Sequence, residues 1–169
     1  MKHLPLATSL TLAMGLSFCA QAHETKTSTG QGKNLSYFNT DSGGTHLSDS
    51  GSTKVASVAV ELEHDAEVLV QFTSEIGAAD AVGCPCSVRA TLQLNDKAPQ
   101  VVKRVNVGTP AVQQVGKYDQ DRENVDGSYV FSLPAGKHTI SLAYQQAYGT
   151  SKSLEVFYSN LQAITFAKR

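Results

Sequence analysis

The chain has 169 residues, a formal net charge of −1 and no tryptophan. This length is enough for a single domain that buries a core of its own without depending on disulfides. Because the sequence contains no basic run, it lacks the electrostatic footprint of nucleic-acid or anionic-membrane binding, and we expect neither partner.

The first 22 residues carry the pattern of an export signal. A positive start at Lys2 is followed by an apolar stretch over residues 4–18 and by the small-residue sequence Ala20-Gln21-Ala22. This order is typical of a secretory signal peptide, and the stretch is shorter than the roughly 20 apolar residues of a membrane anchor. We therefore predict cleavage after Ala22, a periplasmic or secreted protein, and no transmembrane anchor.

Residues 23–53 form a polar segment rich in Ser, Thr, Gly, Asn and Asp. So few apolar side chains cannot offset the entropy of ordering a backbone, about 1 to 2 kcal/mol per residue. The sequence predicts a partly disordered N-terminal arm, flexible over residues 23–33, with a short first strand over residues 35–39. Residues 54–169 are predicted to form the single folded domain.

From Lys54 onward, apolar and polar residues alternate with a period of two, which indicates half-buried strands. Turn sequences separate these segments at residues 63–65, 95–96 and 134–136, and the first turn predicts a hairpin. About eight or nine short strands at this spacing predict an all-β fold, an antiparallel β-sandwich of jelly-roll type. The clearest apolar faces are Ala56, Val58, Val60 and Leu62; Val68, Val70 and Phe72; Val88, Ala90, Leu92 and Leu94; and Ile140, Leu142 and Tyr144.

The segment from Ser128 to Tyr144, with a Leu-Pro-Ala-Gly-Lys-His corner at residues 133–138, resembles strand pairs common in bacterial secreted jelly rolls and carbohydrate-binding modules. The resemblance covers a small part of the chain and includes no diagnostic motif. It is a likeness of fold, and fold alone does not specify function.

Cys84-Pro85-Cys86 contains both cysteines that follow the predicted cleavage site. In an oxidising compartment, a local disulfide is the favoured interpretation. Residues two apart in an extended strand have Cα atoms about 7 Å apart, so a bridge requires a bend, which Gly83 and Pro85 favour. Metal ligation, pairing between chains and redox chemistry are the alternatives, since so small a ring adds little stability.

His23 becomes the first residue of the mature chain if cleavage occurs as predicted. A terminal histidine offers both its α-amino group and its ring to one Cu(II) ion. Secreted copper proteins with a histidine brace resemble this chain in their β-sandwich fold and first-residue histidine. His138, at a predicted strand end, is the best-placed further ligand, ahead of His46 and His64. The structural alternative is a His138 that caps the edge of the core.

The predicted loop over residues 118–127 offers a second type of metal site. Carboxylate oxygens suit Ca²⁺, although the spacing here is not that of an EF-hand. The alternative is a solvated loop that ends in a turn at residues 126–127. The carboxylates are Asp119, Asp121, Glu123 and Asp126.

The sequence contains no G-x-S-x-G, H-E-x-x-H or S-x-x-K motif. This favours a noncatalytic binding or surface-associated module over an enzyme. Because sugar binding commonly uses an exposed aromatic ring, Tyr118 and Tyr148, both in predicted loops, are the candidates for ligand stacking. Tyr144 and Tyr158 are assigned to the edge of the core.

The sequence therefore predicts an exported binding module whose partner is a glycan or a component of the cell envelope or surface. It requires no cofactor, and copper and calcium are the metals that its candidate ligands would suit. One alternative is a copper-binding protein that uses His23. The other is a structural subunit of a surface fibre, since pilins resemble this chain in size and strand content, although the polar arm lacks the alternating pattern of a donor strand.

Overall fold

The computed structural model describes residues 27–40, 44–79, 82–108 and 122–167. In these ranges no helix has the length and apolar character needed to cross a membrane. The described strands are β1 (Thr27–Gln31), β2 (Leu35–Thr40), β3 (Thr45–His46), β4 (Thr53–Leu62), β5 (Ala66–Ala78), β6 (Cys86–Leu94), β7 (Gln100–Val107), β8 (Arg122–Leu133), β9 (Gly136–Tyr148) and β10 (Leu154–Ala167).

The strands form two antiparallel sheets that face each other. The six-stranded sheet has the order β1-β2-β10-β5-β8, with β3 also pairing with β10, and the four-stranded sheet has the order β4-β9-β6-β7. With β1 and β3 set aside, the first strand pairs with the last, the second with the seventh, the third with the sixth and the fourth with the fifth. This nested pairing is that of a jelly roll, so the predicted fold class is confirmed.

The core lies between the inner faces of the two sheets. The predicted apolar faces of β4, β5, β6 and β9 all point into it, because side chains alternate between the two faces of a strand. The largest side chains of this core with almost no exposure are Tyr144, Ile76, Leu92, Ile140, Leu142, Leu154 and Leu161.

The turn at residues 63–65 does not form the predicted hairpin. β4 belongs to the four-stranded sheet and β5 to the six-stranded sheet, so the chain crosses between sheets there. It crosses again between β8 and β9, at the corner near Pro134. A period of two shows that one face is buried, but it does not show which sheet the strand joins, and this is why the hairpin prediction was wrong.

Part of the predicted N-terminal arm is ordered in the sheet. β2 pairs with β10 and includes the first strand predicted at residues 35–39, while β1 pairs with β2 from Thr27 opposite Thr40 to Gln31 opposite Ser36. Backbone hydrogen bonds to strands already in the sheet hold this segment in place, although it has few apolar side chains. Residues 27–31 form β1, residues 23–26 lie outside the described ranges, and flexibility of the arm over residues 23–33 stays a prediction.

Tyr144 is fully buried in the centre of this core. Its hydroxyl has no well-aligned hydrogen bond among the described residues, and the nearby Ser74 hydroxyl donates to Ser159 at 3.4 Å. Burial raises the pKa of Tyr144 to about 12, against a smaller lowering by Ser74. The folded state thus favours the neutral phenol.

We expect alkaline pH to destabilise the protein through Tyr144. Because the pKa of Tyr144 in the folded state, about 12, exceeds the ordinary tyrosine pKa of 10.0, the stability that the neutral phenol contributes is complete below pH 10 and is lost as pH rises through 12. The loss is about 1 kcal/mol at roughly pH 11. Urea unfolding near neutral pH and at pH 11 measures it. Tyr144→Phe should remove the loss of unfolding free energy that Tyr144 causes at pH 11, and Tyr148→Phe should retain it. An equal loss in both variants would contradict the assignment of this loss to Tyr144.

Candidate functional site

The outer face of the six-stranded sheet carries two aligned rows of polar side chains, which we call the amide face. The pairing register places one residue of each strand in each row. Neighbouring strands lie about 4.8 Å apart, so the second row spans about 19 Å from β1 to β8. The side chains of the first row span about 14 Å from β2 to β8, because Gly30 has no side chain. In that order, the first row is Gly30, Tyr37, Gln162, Gln71 and Ser128, and the second is Ser28, Asn39, Asn160, Thr73 and Asp126.

Strand periodicity explains why these residues point outward. In β5 the side chains of Val70 and Phe72 are buried, so Gln71 and Thr73 between and after them face the opposite side of the sheet. Asp126 is the one carboxylate of the ten positions, and none of them is basic. The amide face is therefore polar but almost uncharged.

Cross-strand hydrogen bonds orient the amides of this face. The Gln162 Nε2 donates to the Gln71 Oε1 at 2.9 Å, and the Asn160 Nδ2 donates to the Thr73 Oγ1 at 3.1 Å. These bonds use one end of each glutamine amide and leave the Gln162 oxygen and the Gln71 nitrogen available to a ligand. The same residues, with Asn39, line a shallow depression of about 140 Å³.

Tyr37 places an aromatic ring at one end of the first row. Its ring lies against Gly30, where an added Cβ would come within 2.7 Å of the ring Cζ and 2.8 Å of the hydroxyl. Glycine at position 30 thus lets the ring approach the backbone of β1. Tyr37 keeps a partly exposed surface beside Gln162.

A row of four aliphatic residues runs beside the amide face. The register aligns Leu35, Ile164, Leu69 and Val130 across β2, β10, β5 and β8. Leu35 is 43% exposed and Val130 is 53% exposed. The outer sheet surface therefore offers apolar contact next to hydrogen-bonding groups.

A β-bulge in β10 presents Tyr158 at the surface. The register shifts between Phe157 and Asn160, so that Tyr158 and Ser159 together lie opposite Ser74. Tyr158 has a φ of 49°, which is unusual for a residue with a side chain. Ser159 is buried, whereas Tyr158 is 40% exposed. Both tyrosines were assigned to the edge of the core, but Tyr158 lies at the surface and Tyr144 is fully buried within the core.

Arg122 covers the aromatic rings at this bulge. Its guanidinium lies 4.0 Å from the ring centre of Phe157 and 5.6 Å from that of Tyr158, and it pairs with Glu75 at 3.3 Å. Burial alone lowers the pKa of Arg122, but hydrogen bonds with Tyr158 and Glu75 outweigh this effect and raise the pKa above its usual value. These contacts fix the charge of Arg122 at the border of the amide face.

The two cysteines lie at one end of the sandwich, where β6 begins. Their Sγ atoms are 2.8 Å apart, and the predicted disulfide between them stays a prediction. The peptide bond before Pro85 is cis. Cys84 is partly exposed and packs against the core, whereas Cys86 is 1% exposed. We call this pair and the glycines around it the dithiol corner.

Three glycines with positive φ surround the thiols. Their φ angles are 80° at Gly83, 69° at Gly108 and 90° at Gly149. An added Cβ would lie 2.9 Å from the Cys84 Sγ at Gly108 and 2.7 Å from the Cys86 Sγ at Gly149. Both sulfur atoms therefore pack directly against backbone.

Hydrogen bonds connect the dithiol corner to the loop after β9. The Gly83 carbonyl oxygen accepts from the Cys86 thiol at 3.3 Å and from the Thr150 N–H at 2.9 Å. The Gln146 side-chain amide donates to the Cys86 sulfur at 3.6 Å. The corner is thus held by residues from distant parts of the sequence.

The predicted calcium ligands are not brought together among the described residues. Glu123 and Asp126 lie in β8, so the predicted loop over residues 118–127 is a strand from residue 122 onward. Residues three apart in a strand point to opposite faces. Asp119, Asp121 and the predicted stacking residue Tyr118 lie outside the described ranges.

His138 lies at the opposite end of the sandwich from the cysteines. Its Nε2 donates to the Pro134 carbonyl oxygen at 2.9 Å, and its Nδ1 faces the Asn95 amide at 3.5 Å. Tyr148, at the other end of β9, pairs with Ser87 beside the dithiol corner. His138 and Tyr148 are ten residues apart in this strand, which corresponds to about 33 Å. His138 therefore cannot share a metal with the cysteines, and the proposed partner His23 lies outside the described ranges.

The other acidic and histidine side chains of the described residues do not form a metal centre. Among these residues, no group of three or more His, Cys, Asp or Glu is arranged to hold an ion.

Tyr148 is 72% exposed at the end of β9, as expected for a stacking residue. It lines a groove of about 310 Å³ together with Asp49, Gln146, Thr150 and Lys152. This groove adjoins the dithiol corner through Gln146 and is separate from the amide face.

The fold and these two surfaces define the chain as a jelly-roll β-sandwich protein. No protein-family model matches the sequence, and no curated protein matches it.

Three solved structures match part of this chain at low similarity. One is a structure of infectious bursal disease virus Gx strain, with 9% identity and a TM-score of 0.41. The second is a family GH115 4-O-methyl-alpha-glucuronidase with specificity for decorated arabinogalactans, with 9% identity and a TM-score of 0.31. The third is the mosquito-larvicidal Cry4Aa toxin from Bacillus thuringiensis, with 11% identity and a TM-score of 0.30. The matches cover 85%, 75% and 85% of this chain but 32%, 16% and 21% of those chains. The likeness carries no argument about function.

Gly149→Ala should destabilise the protein more than Gly51→Ala. Both glycines have φ near 90°, but an added Cβ at Gly51 meets nothing within 4 Å, whereas at Gly149 it meets the Cys86 sulfur. Backbone strain alone costs about 1 to 2 kcal/mol, and we expect about 1 to 3 kcal/mol more at Gly149 from overpacking. Urea unfolding of the two variants measures the difference. Equal losses would show that the sulfur contact does not constrain this loop.

Proposed function

We propose that this protein is an exported, noncatalytic binding module that holds an uncharged polysaccharide on its amide face. The observation that carries the proposal is the alignment of amide and hydroxyl side chains in two rows across five strands. A row about 19 Å long gives repeated contacts to an extended ligand that has a repeating structure.

The chemistry of the amide face suits sugar hydroxyls. A carboxamide offers both a donor and an acceptor, and a hydroxyl group needs both. The hydrogen bond between Gln71 and Gln162 holds the two amides in a fixed orientation, which lowers the entropic cost of binding. Tyr37 and the adjacent aliphatic row supply contact to the C–H faces of the sugar rings.

The charge of the face supports a neutral ligand and binding without hydrolysis. Asp126 is the only ionisable carboxylate of the ten positions, and glycoside hydrolysis generally requires two carboxyl groups that flank the bond. A face with one carboxylate at its edge is equipped to bind a polysaccharide but not to cleave it.

The alternatives from the sequence have less support. β1, β2 and β3 of the predicted arm already pair within the chain's own sheet, so they are not available as donor strands for a neighbouring fibre subunit. The Tyr148 groove contains Asp49 and Lys152, and it offers a single ring without aligned rows of amides.

Tyr37→Ala and Gln71→Leu should weaken binding of the matching polysaccharide. We expect a loss of about tenfold for the ring and about threefold to tenfold for the amide, which correspond to about 1 kcal/mol each. Isothermal titration against soluble neutral glucans, mannans and xylans measures both. Because both residues lie on the outer surface of the sheet, thermal unfolding should change little.

Tyr148→Ala is the matched control, since it removes an exposed ring away from the amide face. It should bind like the wild-type protein. Failure of the wild type to bind any neutral polysaccharide would refute the proposal. Loss of binding in Tyr148→Ala with retention in Gln71→Leu would move the site to the groove beside Tyr148.

A further inference from the structure

We infer that Cys84 and Cys86 form a thiol–disulfide exchange site, in which Cys84 attacks a disulfide and Cys86 resolves the product. The site lies at the end of the sandwich and does not depend on polysaccharide binding at the amide face. Its substrate class is an accessible disulfide, of low molecular weight or on the surface of another protein.

The different exposure of the two thiols assigns their roles. Cys84 is partly exposed, whereas Cys86 is 1% exposed. An incoming disulfide therefore reaches Cys84 first, since attack requires access to the thiolate. The Cys86 sulfur lies 2.8 Å from the Cys84 sulfur, so a mixed disulfide formed on Cys84 is within reach of Cys86.

The exchange proceeds in two balanced steps. The Cys84 thiolate attacks one sulfur of R–S–S–R′, which forms a Cys84–S–S–R bond and releases R′–S⁻. The Cys86 thiolate then attacks the Cys84 sulfur, which forms the Cys84–Cys86 disulfide and releases R–S⁻. The two cysteines are oxidised, the substrate disulfide is reduced to two thiols, and the two protons of the cysteine thiols pass to water or to the released thiolates.

The surroundings of Cys86 favour its role as the resolving thiol. The Gln146 amide donates to its sulfur at 3.6 Å and helps to hold it beside the Cys84 sulfur. Gly149 keeps the second side of the sulfur free of side-chain atoms. Gln146 and Gly149, which lie against the Cys86 sulfur, also line a groove of about 310 Å³ beside Tyr148.

The fold does not depend on a disulfide at this position. β6 already pairs with β7 and β9, and the Thr150 N–H binds the Gly83 carbonyl oxygen. A ring closed between residues two apart removes little entropy from the unfolded chain. The pair can therefore change oxidation state without loss of the fold, as reversible exchange requires.

Metal binding is less well supported as a role for the pair. In the described part of the chain, no third His, Cys, Asp or Glu joins the two thiols in a ligand group. Stable sites for metals that prefer thiolates commonly use three or four ligands.

Intact-mass measurement of the reduced, exported protein mixed with oxidised glutathione tests the assignment. We expect the wild type to pass to a form lighter by the two thiol hydrogens, with release of reduced glutathione. Cys86→Ser should stop at a glutathione adduct on Cys84. Cys84→Ser should form an adduct on Cys86 at least about tenfold more slowly, because Cys86 is buried. Each variant should keep the thermal unfolding and polysaccharide affinity of the wild type.

Alkylation of the reduced wild type gives a second test that needs no substitution. Peptide mapping after brief iodoacetamide treatment should show Cys84 modified well before Cys86. Equal rates at the two cysteines, or a wild type that accumulates glutathione adducts without forming the internal disulfide, would overturn the inference. Because these readouts do not involve the amide face, their failure is distinguishable from a failure of polysaccharide binding.

Discussion

The insertion of β10 between β2 and β5 is the contact on which the rest of the structure depends. It joins the last strand to the first and third of the jelly roll, and it buries Leu154, Val156, Leu161 and Ala163 against the opposite sheet. Backbone hydrogen bonds from β10 order residues 35–40 in β2, where Phe38 is the apolar side chain that packs against the core. Without β10 in place, the six-stranded sheet would separate into the pairs β1-β2 and β5-β8, and β3 would lose its partner.

The same insertion assembles the amide face. Asn160 and Gln162 come from the end of the chain, whereas Gln71 and Thr73 lie near its middle, and they meet because β10 and β5 pair in one register. A slip of one residue would turn the amides into the core and the apolar side chains outward, so burial of the core fixes the position of the polar rows. Stability and the proposed ligand surface therefore depend on one alignment.

The bulge at Tyr158 resolves a conflict within β10. The inward apolar residues are even-numbered at Leu154 and Val156 but odd-numbered at Leu161 and Ala163. A regular strand cannot bury both sets on one face, and the extra residue of a bulge restores the alternation. That change of parity is visible in the sequence, and it was the signal that could have placed Tyr158 at the surface. Its stacking with Arg122, from β8, was not predictable from the local pattern.

The sequence by itself determined the all-β class, the apolar faces of the strands and the proximity of Cys84 to Cys86, because each follows from local alternation or from neighbouring positions. The tertiary structure alone decided which sheet each strand joins, so it replaced the predicted hairpin at residues 63–65 with a crossing between sheets. It also decided which polar residues share a surface and that Gly108 and Gly149 enclose the thiols. The physical reason is that strand pairing and loop contacts join residues far apart in the chain, while a period-two pattern reports only which face of a strand is buried.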